Sequence, residues 1–355
     1  MERKSKELAV TRHGVILDKT DHGFENAGVL NPACIRVGDD VHLFYRAVRH
    51  GNYSTIGHCL LRGPLDVVTR SEKPVLIPEH AHESQGIEDP RIVKIEDRYY
   101  MTYTAYDRAN ALGTYATSKD LVTFTKHPVI TPQFTYREFK KLIDCCPDLN
   151  QKYLFHYKVL KEHGLGEEIA EKLLAWDKNL MFFPSKINGK FALLHRIHPG
   201  IQVVFFDDPA ELDRRFWENY LMDLKSHIVM DPVFAHETSH IGGGAPPIAT
   251  ADGWLLIYHA VEDTPNGFVY HACAALLDLA DPSKLIARLD RPLISPQEPY
   301  EMLGYVKNII FPSGAVVFDD DLYIYYGAAD ERVAVASVKL SALLAQLNNS
   351  PWDRS

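Results

Sequence analysis

The residues with the clearest chemical potential lie in the segment Gly86-Ile-Glu-Asp-Pro-Arg91, where two adjacent carboxylates precede a proline and an arginine. A residue before proline favours an extended conformation, so Asp89 is expected to be extended. Successive side chains of an extended chain point to opposite sides, so Glu88 and Asp89 should not share a role. One carboxylate could face a pocket while the other, or Arg91, anchors the segment. An acid beside a glycosidic oxygen can protonate the leaving group; a structural ion pair is the alternative.

Basic side chains fall at one position of a repeated aromatic strand. Alignment of the five copies places these residues in register: Arg46, Thr104, Arg196, His259 and Gly327. Arginine is rarely buried without a partner, and its guanidinium offers paired donors to phosphate or carboxylate groups. If these strands line a common axis, their charges converge on an anion-binding pocket. Structural ion pairs with nearby carboxylates are the alternative.

A glycine-rich segment, His240-Ile-Gly-Gly-Gly-Ala-Pro-Pro247, predicts a rigid loop where the backbone approaches another group closely. It lacks the spacing and the lysine of a P-loop, so nucleotide binding is not supported. The 17 histidines show neither an HExxH motif nor paired-ligand spacing, so no metal site is expected.

The elements that must position these residues form a degenerate repeat. An aromatic strand preceded by a polar turn recurs five times, at 41–47, 99–105, 190–196, 254–260 and 322–328, and a second strand follows most copies. Each unit predicts a small antiparallel sheet of about four strands, which must pack against its neighbours to bury both faces. The fold class is therefore predicted to be all-β, a five-bladed β-propeller in one domain spanning 1–355. A β-sandwich with coincidental repeats is the alternative.

One segment interrupts the repeat between its second and third units. From about 136 to 177, apolar residues such as Ile169, Leu173 and Leu174 recur at helical spacing. We predict a helical insertion that acts as a lid or an oligomer contact, with a passive surface insertion as the alternative.

The bulk composition excludes several classes of protein. A formal net charge of −9 argues against a general nucleic-acid binder. No apolar run approaches the 18 residues of a membrane span, and the first residues lack the apolar core of a signal peptide. The five cysteines match no zinc-ligand pattern and fit a reducing compartment. The expected location is the cytoplasm, without nucleic-acid or membrane partners.

The ordered set of motifs resembles glycoside hydrolase family 130, the β-mannoside phosphorylases and related mannosidases. The similarity runs from about residue 28 to residue 344 and includes Leu43-Phe-Tyr-Arg-Ala, Gly86-Ile-Glu-Asp-Pro-Arg-Ile, Phe183-Pro-Ser-Lys-Ile-Asn-Gly-Lys, Ile241-Gly-Gly-Gly-Ala-Pro-Pro-Ile and Phe311-Pro-Ser-Gly. The resemblance implies a five-bladed propeller, in agreement with the repeat count. The helical insertion and the segment Asn52-Tyr-Ser-Thr-Ile-Gly resemble members that act on β-1,2-linked mannosides.

The resemblance also implies roles for individual residues. Asp89 would be the sole catalytic acid, its proton passing through a sugar hydroxyl while inorganic phosphate attacks with inversion and releases α-mannose 1-phosphate. The phosphate-binding positions would be Arg196, His240, His259 and Tyr270. The substrate-binding positions would be Arg46, Glu88, Arg91, Asn179, Lys186 and Asp330. No cofactor is implied beyond phosphate as a co-substrate.

One departure from the family pattern leaves a second reaction open. Family phosphorylases commonly carry a lysine where this chain has His240, and histidine is only partly charged near neutral pH. A hydrolase would need a base to activate water, and Glu237 is the candidate. The leading hypothesis is a β-1,2-mannoside phosphorylase acting on manno-oligosaccharides, with an inverting β-mannosidase as the near alternative. A catalytically silent sugar-binding propeller is the more distant one.

Overall fold

The computed structural model describes residues 8–162, 169 and 171–352. Strands dominate this part of the chain: β1 (Val10–Leu17), β2 (Gly28–Val37), β3 (Asp40–Arg49), β4 (Tyr53–Arg62), β5 (Asp66–Arg70), β6 (Gly86–Ile95), β7 (Arg98–Tyr106), β8 (Ala111–Ser118), β9 (Thr125–Lys126), β10 (Asp177–Phe182), β11 (Phe191–Ile197), β12 (Ile201–Phe206), β13 (Ile228–Met230), β14 (His240–Gly243), β15 (Ile248–Thr250), β16 (Gly253–Thr264), β17 (Gly267–Leu277), β18 (Leu285–Arg288), β19 (Ile310–Phe318), β20 (Asp321–Ala328) and β21 (Arg332–Lys339). The helices are α1 (Tyr136–Ile143), α2 (Phe155–Glu162), α3 (Arg214–Met222), α4 (Pro299–Met302) and α5 (Leu340–Asn348).

The described strands form five successive antiparallel units, four of them with four strands and one with five. Their orders are β2-β3-β4-β5, β6-β7-β8-β9, β10-β11-β12-β13, β14-β16-β17-β18 with β15 also on β16, and β19-β20-β21-β1. The first strand of the described residues, β1, pairs with the last, β21, so both belong to the fifth sheet. A single parallel bridge between Ser54 and Gly86 links the first two units.

The apolar core lies between neighbouring sheets. Five buried clusters each join residues of two sheets. Representative pairs are Phe44 with Met101, Tyr115 with Leu193, Leu194 with Leu256, Ile257 with Ile324, and Leu43 with Val335. The last of these pairs joins the first sheet to the fifth. Each sheet thus covers its apolar faces with its two neighbours, as the repeat required.

The repeated aromatic strand is the second strand of each unit, at β3, β7, β11, β16 and β20, and not the innermost one. The innermost strands are those that precede it. Among them β2 contacts β19 and β6, β6 contacts β10, and β10 contacts β14. The expectation that the aromatic strands line the axis is therefore wrong, although their ends reach the central cavity.

Four sheets contain the same buried cluster of a glutamate, a tyrosine and a cation. The glutamate precedes the innermost strand, the tyrosine lies on the second strand and the cation on the outermost: Glu25–Tyr45–Arg70, Glu83–Tyr103–Lys126, Glu237–Tyr258–Arg288 and Glu301–Tyr326–Arg12. In the third sheet His195 takes the place of the tyrosine and contacts Asp177 and Tyr220 at 2.7 Å each. The cluster ties three elements of each sheet together.

Glu237 belongs to this repeated cluster and not to a catalytic site. Its fully buried carboxylate accepts hydrogen bonds from Arg288 at 2.5 Å and Tyr258 at 2.9 Å, and from the backbone N–H groups of Val233 and Phe234. Every lone pair direction is occupied by a protein donor, so the carboxylate has no access to a water nucleophile. The prediction of Glu237 as a general base is corrected on this ground.

We expect Glu237→Gln to lower the stability of the fold and leave the chemistry intact. Removing one partner of a buried ion pair leaves Arg288 uncompensated, at a cost of about 3–5 kcal/mol. Thermal unfolding should therefore begin several degrees lower, while kcat per folded molecule stays near the wild-type value. Glu72→Gln, at an exposed position, is the matched control. Loss of kcat at unchanged stability would restore the base assignment.

The helices α1 and α2 lie between β9 and β10, and α1 packs against α3. α1 begins at a capping box in which Thr135 and Glu138 bond each other's backbone N–H groups. The residues 163–168 and 170 of the predicted insertion lie outside the described residues. In the described part of the chain, no helix combines the length and apolar character needed to cross a bilayer.

Candidate active site

A left-handed kink recurs in three innermost strands and aims polar side chains at the centre. Asn31, Asp89 and Asn179 have φ values of 49°, 52° and 56°, each where the strand slips register against its neighbour. Asn and Asp tolerate this conformation better than other non-glycine residues, at a cost of about 1–3 kcal/mol each. Such bulges redirect side chains and are frequent beside active sites. All three residues line one central cavity of about 700 Å³.

Because of the kink at Asp89, the expectation that the Glu88 and Asp89 side chains point to opposite sides is wrong. Asp89 is in the left-handed region although it precedes a proline, so Glu88 and Asp89 both line the cavity. The Asp89 carboxylate accepts a hydrogen bond from Asn31 Nδ2 at 2.7 Å. Gly327 makes room for that amide, because a Cβ at this position would collide with Asn31. The carboxylate therefore stands in a polar setting, and its other oxygen accepts no hydrogen bond from the described residues.

Around Asp89, two further carboxylates alternate with two cations. Arg46 Nη2 contacts Glu88 at 2.7 Å and its Nη1 lies 3.9 Å from Asp89, while Lys178 Nζ lies 3.9 Å from Glu88. Burial, opposed by Arg46 and reinforced by Asp89 and Glu88, raises the pKa of Asp330 to about 6. This end of the cavity offers dense donors and acceptors, as a sugar with several hydroxyl groups requires.

Arg91 holds the kink in place and does not face the cavity. Its buried guanidinium donates to the carbonyls of Asp89 at 2.9 Å and Pro90 at 3.1 Å, and also to that of Gly244 in the fourth unit. Burial lowers its pKa to about 10. The prediction of Arg91 as a substrate-binding residue is corrected, and the alternative that it anchors the segment fits this geometry.

A second group of cavity residues surrounds an arginine without a partner among the described residues. Within the described residues, the Arg196 side chain makes neither a hydrogen bond nor an ion pair, and its Nε is fully shielded from solvent. Burial lowers the pKa of Arg196, while Tyr270, Asp177 and Asp89 act in the opposite direction. A guanidinium nitrogen that is shielded from water and has no acceptor is costly, so this arrangement indicates a site that binds an anion.

Histidine rings extend from Arg196 across the cavity wall. The ring centroids of His156 and His198 are 4.9 Å apart, those of His198 and His240 are 5.2 Å apart, and those of His240 and His259 are 6.2 Å apart. Burial, then the charge of Arg196, lowers the pKa of both His240 and His259 well below the usual value. Among the described residues, no group of three or more His, Cys, Asp or Glu side chains could hold a metal ion.

Glycine in β14 permits this close packing. A Cβ at Gly242 would stand 2.5 Å from the His259 ring and 2.7 Å from Asn179 Oδ1. The Asn179 oxygen and His259 Nδ1 are both buried without a hydrogen-bond partner among the described residues. The predicted close approach of the glycine-rich segment is confirmed, but His240–Gly243 form strand β14 and not a loop. The packing leaves two polar atoms available to a ligand.

The cavity brings together nine of the predicted site residues: Arg46, Glu88, Asp89, Asn179, Arg196, His240, His259, Tyr270 and Asp330. Three lie elsewhere. Besides Glu237 and Arg91, Lys186 sits in the turn before β11, where its ammonium lies 3.4 Å from Glu96 and 4.8 Å from the centre of the Phe191 ring. Its prediction as a substrate-binding residue is corrected, since a surface ion pair occupies it.

Several cavity residues escaped the sequence analysis: Asn31, Lys152, Phe155, His156, Trp176, Lys178 and His198. Asn31 had a detectable signal, because Asn31-Pro32 in the first unit occupies the position of Asp89-Pro90 in the second. The Trp176 indole donates to the Ala109 carbonyl at 3.0 Å, which fixes a broad apolar face beside Lys178. Such a ring can stack on a sugar.

Comparison with known proteins relates this geometry to one family. The sequence model of glycoside hydrolase family 130, described as beta-1,4-mannooligosaccharide phosphorylase, matches residues 10–165 and 150–349. The chain belongs to this family. Two relatives from Thermoanaerobacter sp. (strain X514) are each 34% identical: a 1,2-beta-oligomannan phosphorylase, covering 92% of this chain and 95% of the relative, and a beta-1,2-mannobiose phosphorylase, covering 90% and 92%. This family 130 member is thus an enzyme of the phosphorylase or glycoside hydrolase kind.

A solved family structure agrees with the fold. The beta-1,2-mannobiose phosphorylase from Listeria innocua, in complex with beta-1,2-mannobiose, aligns with a TM-score of 0.70 at 23% identity. The alignment covers 97% of this chain and all of that one, 100%. The resemblance to family 130 stated from the motifs is confirmed.

Proposed function

We propose that this family 130 enzyme is an inverting phosphorylase of β-1,2-linked manno-oligosaccharides. An oxygen of inorganic phosphate attacks the anomeric carbon of the terminal mannose as the glycosidic bond breaks. The leaving oxygen takes up the proton that Asp89 supplies, through a sugar hydroxyl, and α-mannose 1-phosphate is released. The phosphorolytic names of the 34% identical relatives support the reaction and the β-1,2 linkage.

The observation that carries the proposal is the unpartnered Arg196, half-buried with its Nε shielded from solvent, in the same cavity as Asp89. A hydrolase needs a base and a water, whereas a phosphorylase needs an acid and an anion site. Beside Arg196 stand Tyr270 and neutral histidines, which can still donate N–H or O–H groups to phosphate oxygens. His240 serves as a neutral donor in this arrangement, so its substitution for lysine is compatible with phosphorolysis.

We also propose that the five units close into a five-bladed β-propeller that forms one catalytic domain. The ring of five inter-sheet clusters and the pairing of β1 with β21 support closure. Closure would explain why the kinks of β2, β6 and β10 meet in one cavity, since each innermost strand then faces the same axis.

The test is incubation of the purified enzyme with β-1,2-mannobiose, with and without inorganic phosphate, followed by quantification of mannose and mannose 1-phosphate. We expect mannose 1-phosphate and free mannose in equal amounts, and only when phosphate is present. β-1,4-mannobiose is the matched control for linkage and should react much more slowly. Release of two mannose molecules at a rate independent of phosphate would instead establish the hydrolase.

A further inference from the structure

The short turn before α2 and the first residues of that helix line the cavity near its basic side chains. Lys152, Phe155 and His156 all line the cavity alongside Arg196 and His198. This segment is an insertion between the second and third sheets, so it lies outside the repeated framework that supplies the other cavity residues. Its contribution therefore belongs to this chain's insertion and not to the repeat.

The segment is fixed to the third unit by its buried neighbour. The Tyr153 hydroxyl donates to Asp231 at 2.9 Å and accepts from Gln202 Nε2 at 2.9 Å. The Asn150 side chain accepts from the backbone N–H of Lys152 at 3.0 Å and caps the turn. Both anchors fix the backbone from which the exposed Lys152 side chain projects toward the Thr238 carbonyl.

Lys152 stands beside the histidines with most of its hydrogen-bonding capacity unused. Its Nζ donates to the Thr238 carbonyl at 2.7 Å, two residues before His240. In the described part of the chain it has no carboxylate partner. An ammonium group has three donors, so two remain available. A phosphate bound by Arg196 would gain a second positive charge from Lys152. His240, which is neutral, supplies none.

His156 lies beside His198 on the wall of the same cavity. Its ring packs at centroid distances of 4.9 Å from His198 and 5.9 Å from both Tyr136 and Trp176. It makes no hydrogen bond to any described residue. Burial, then the charges of Arg196 and Lys178, lowers its pKa to about 4, so it is a neutral N–H donor. His198 Nδ1 beside it is likewise buried without a partner.

We propose that Lys152 and His156 form an anion-binding arm, through which the insertion contributes two ligands to the phosphate held by Arg196. The assignment rests on the proposed phosphorolysis and extends it, because it makes phosphate affinity depend on a segment outside the sheets. A sugar ligand would not explain the arrangement equally well, since sugar hydroxyl groups do not require two cations without carboxylate partners in one cavity.

The test compares Lys152→Gln and His156→Phe with the wild-type enzyme, using calorimetric titration with inorganic phosphate and steady-state kinetics in both substrates. We expect Lys152→Gln to weaken phosphate binding and raise the KM for phosphate roughly 10-fold, and His156→Phe roughly 3- to 10-fold. The KM for β-1,2-mannobiose should change less than about twofold in either variant. Lys152→Arg should restore phosphate affinity to within about threefold, because the charge is kept. Lys158→Gln, on the exposed side of α2, is the matched control.

The outcomes separate this inference from the proposed function. A wild-type enzyme that neither binds nor requires phosphate overturns both. A phosphate-dependent wild type whose Lys152→Gln variant binds phosphate normally overturns the arm alone. If the KM values for phosphate and mannobiose rise together, or Lys152→Arg fails to restore binding, the segment has only a structural role. Because Lys152 is exposed, its variants test the proposal even if His156→Phe fails to fold.

Discussion

Replacement of Asp89 by asparagine is expected to lower kcat for cleavage of β-1,2-mannobiose by about 10²–10⁴-fold, the usual worth of a positioned proton donor. The amide keeps the size of the side chain and can still accept the hydrogen bond from Asn31, so the kinked strand should remain intact. Phosphate binding should also persist, because Arg196 and the histidines are untouched. Initial rates of mannose 1-phosphate release, together with a phosphate titration, check both expectations.

Two comparisons make the result specific to proton donation. Aryl β-mannosides with acidic leaving groups need little protonation, so Asp89→Asn should impair them far less than mannobiose. Asp66→Asn, at an exposed position on β5, is the matched control and should behave like the wild type. Retention of more than a few per cent of mannobiose cleavage, or an equal loss on both kinds of substrate, would contradict the general-acid assignment.

Replacement of Arg196 by alanine is expected to raise the KM for phosphate roughly 10- to 100-fold, as charge-assisted hydrogen bonds to a desolvated anion are lost. The guanidinium has no partner in the described protein, so its removal strands no buried carboxylate and should leave the fold stable. The KM for mannobiose should stay near the wild-type value. Steady-state kinetics with each substrate varied in turn measure this split.

The control for this variant is Arg215→Ala, an exposed arginine on α3 outside the cavity. It should change neither KM. If Arg196→Ala raised the KM for both substrates equally, the arginine would be shaping the cavity as a whole and the anion site would have to be placed elsewhere. A normal KM for phosphate would exclude Arg196 from phosphate binding altogether.

The repeat was recoverable from sequence because aromatic strands and polar turns leave local signals. The conformation of Asp89 was not, since the local preference of a residue before proline is overridden by the bulge and by Arg91, which reaches across to the fourth unit. No local sequence pattern predicts this long-range hydrogen bond from Arg91 to the Gly244 carbonyl. Glu88 and Asp89, which were expected to point to opposite sides of the strand, consequently line one cavity.

Glu237 illustrates a signal that was present in the sequence. Ala235-His-Glu237 repeats Ala81-His-Glu83, and both glutamates bond a tyrosine and a cation of their own sheet. Comparing these two segments would have identified a structural carboxylate. His156 and His198 are the opposite case: 42 positions apart in the chain, they meet only through tertiary packing.

The recurrent kink shows that the same backbone conformation can present either an amide or a carboxylate to the cavity. Asn31, Asp89 and Asn179 occupy equivalent positions of their strands. The asparagine amide differs from the aspartate carboxylate by a nitrogen in place of one oxygen. The three kinked strands share one backbone conformation, whereas a sugar ring and its leaving group are not symmetric. Under the proposed mechanism, the side of the substrate that receives the proton is therefore set by which of these three positions carries the carboxylate.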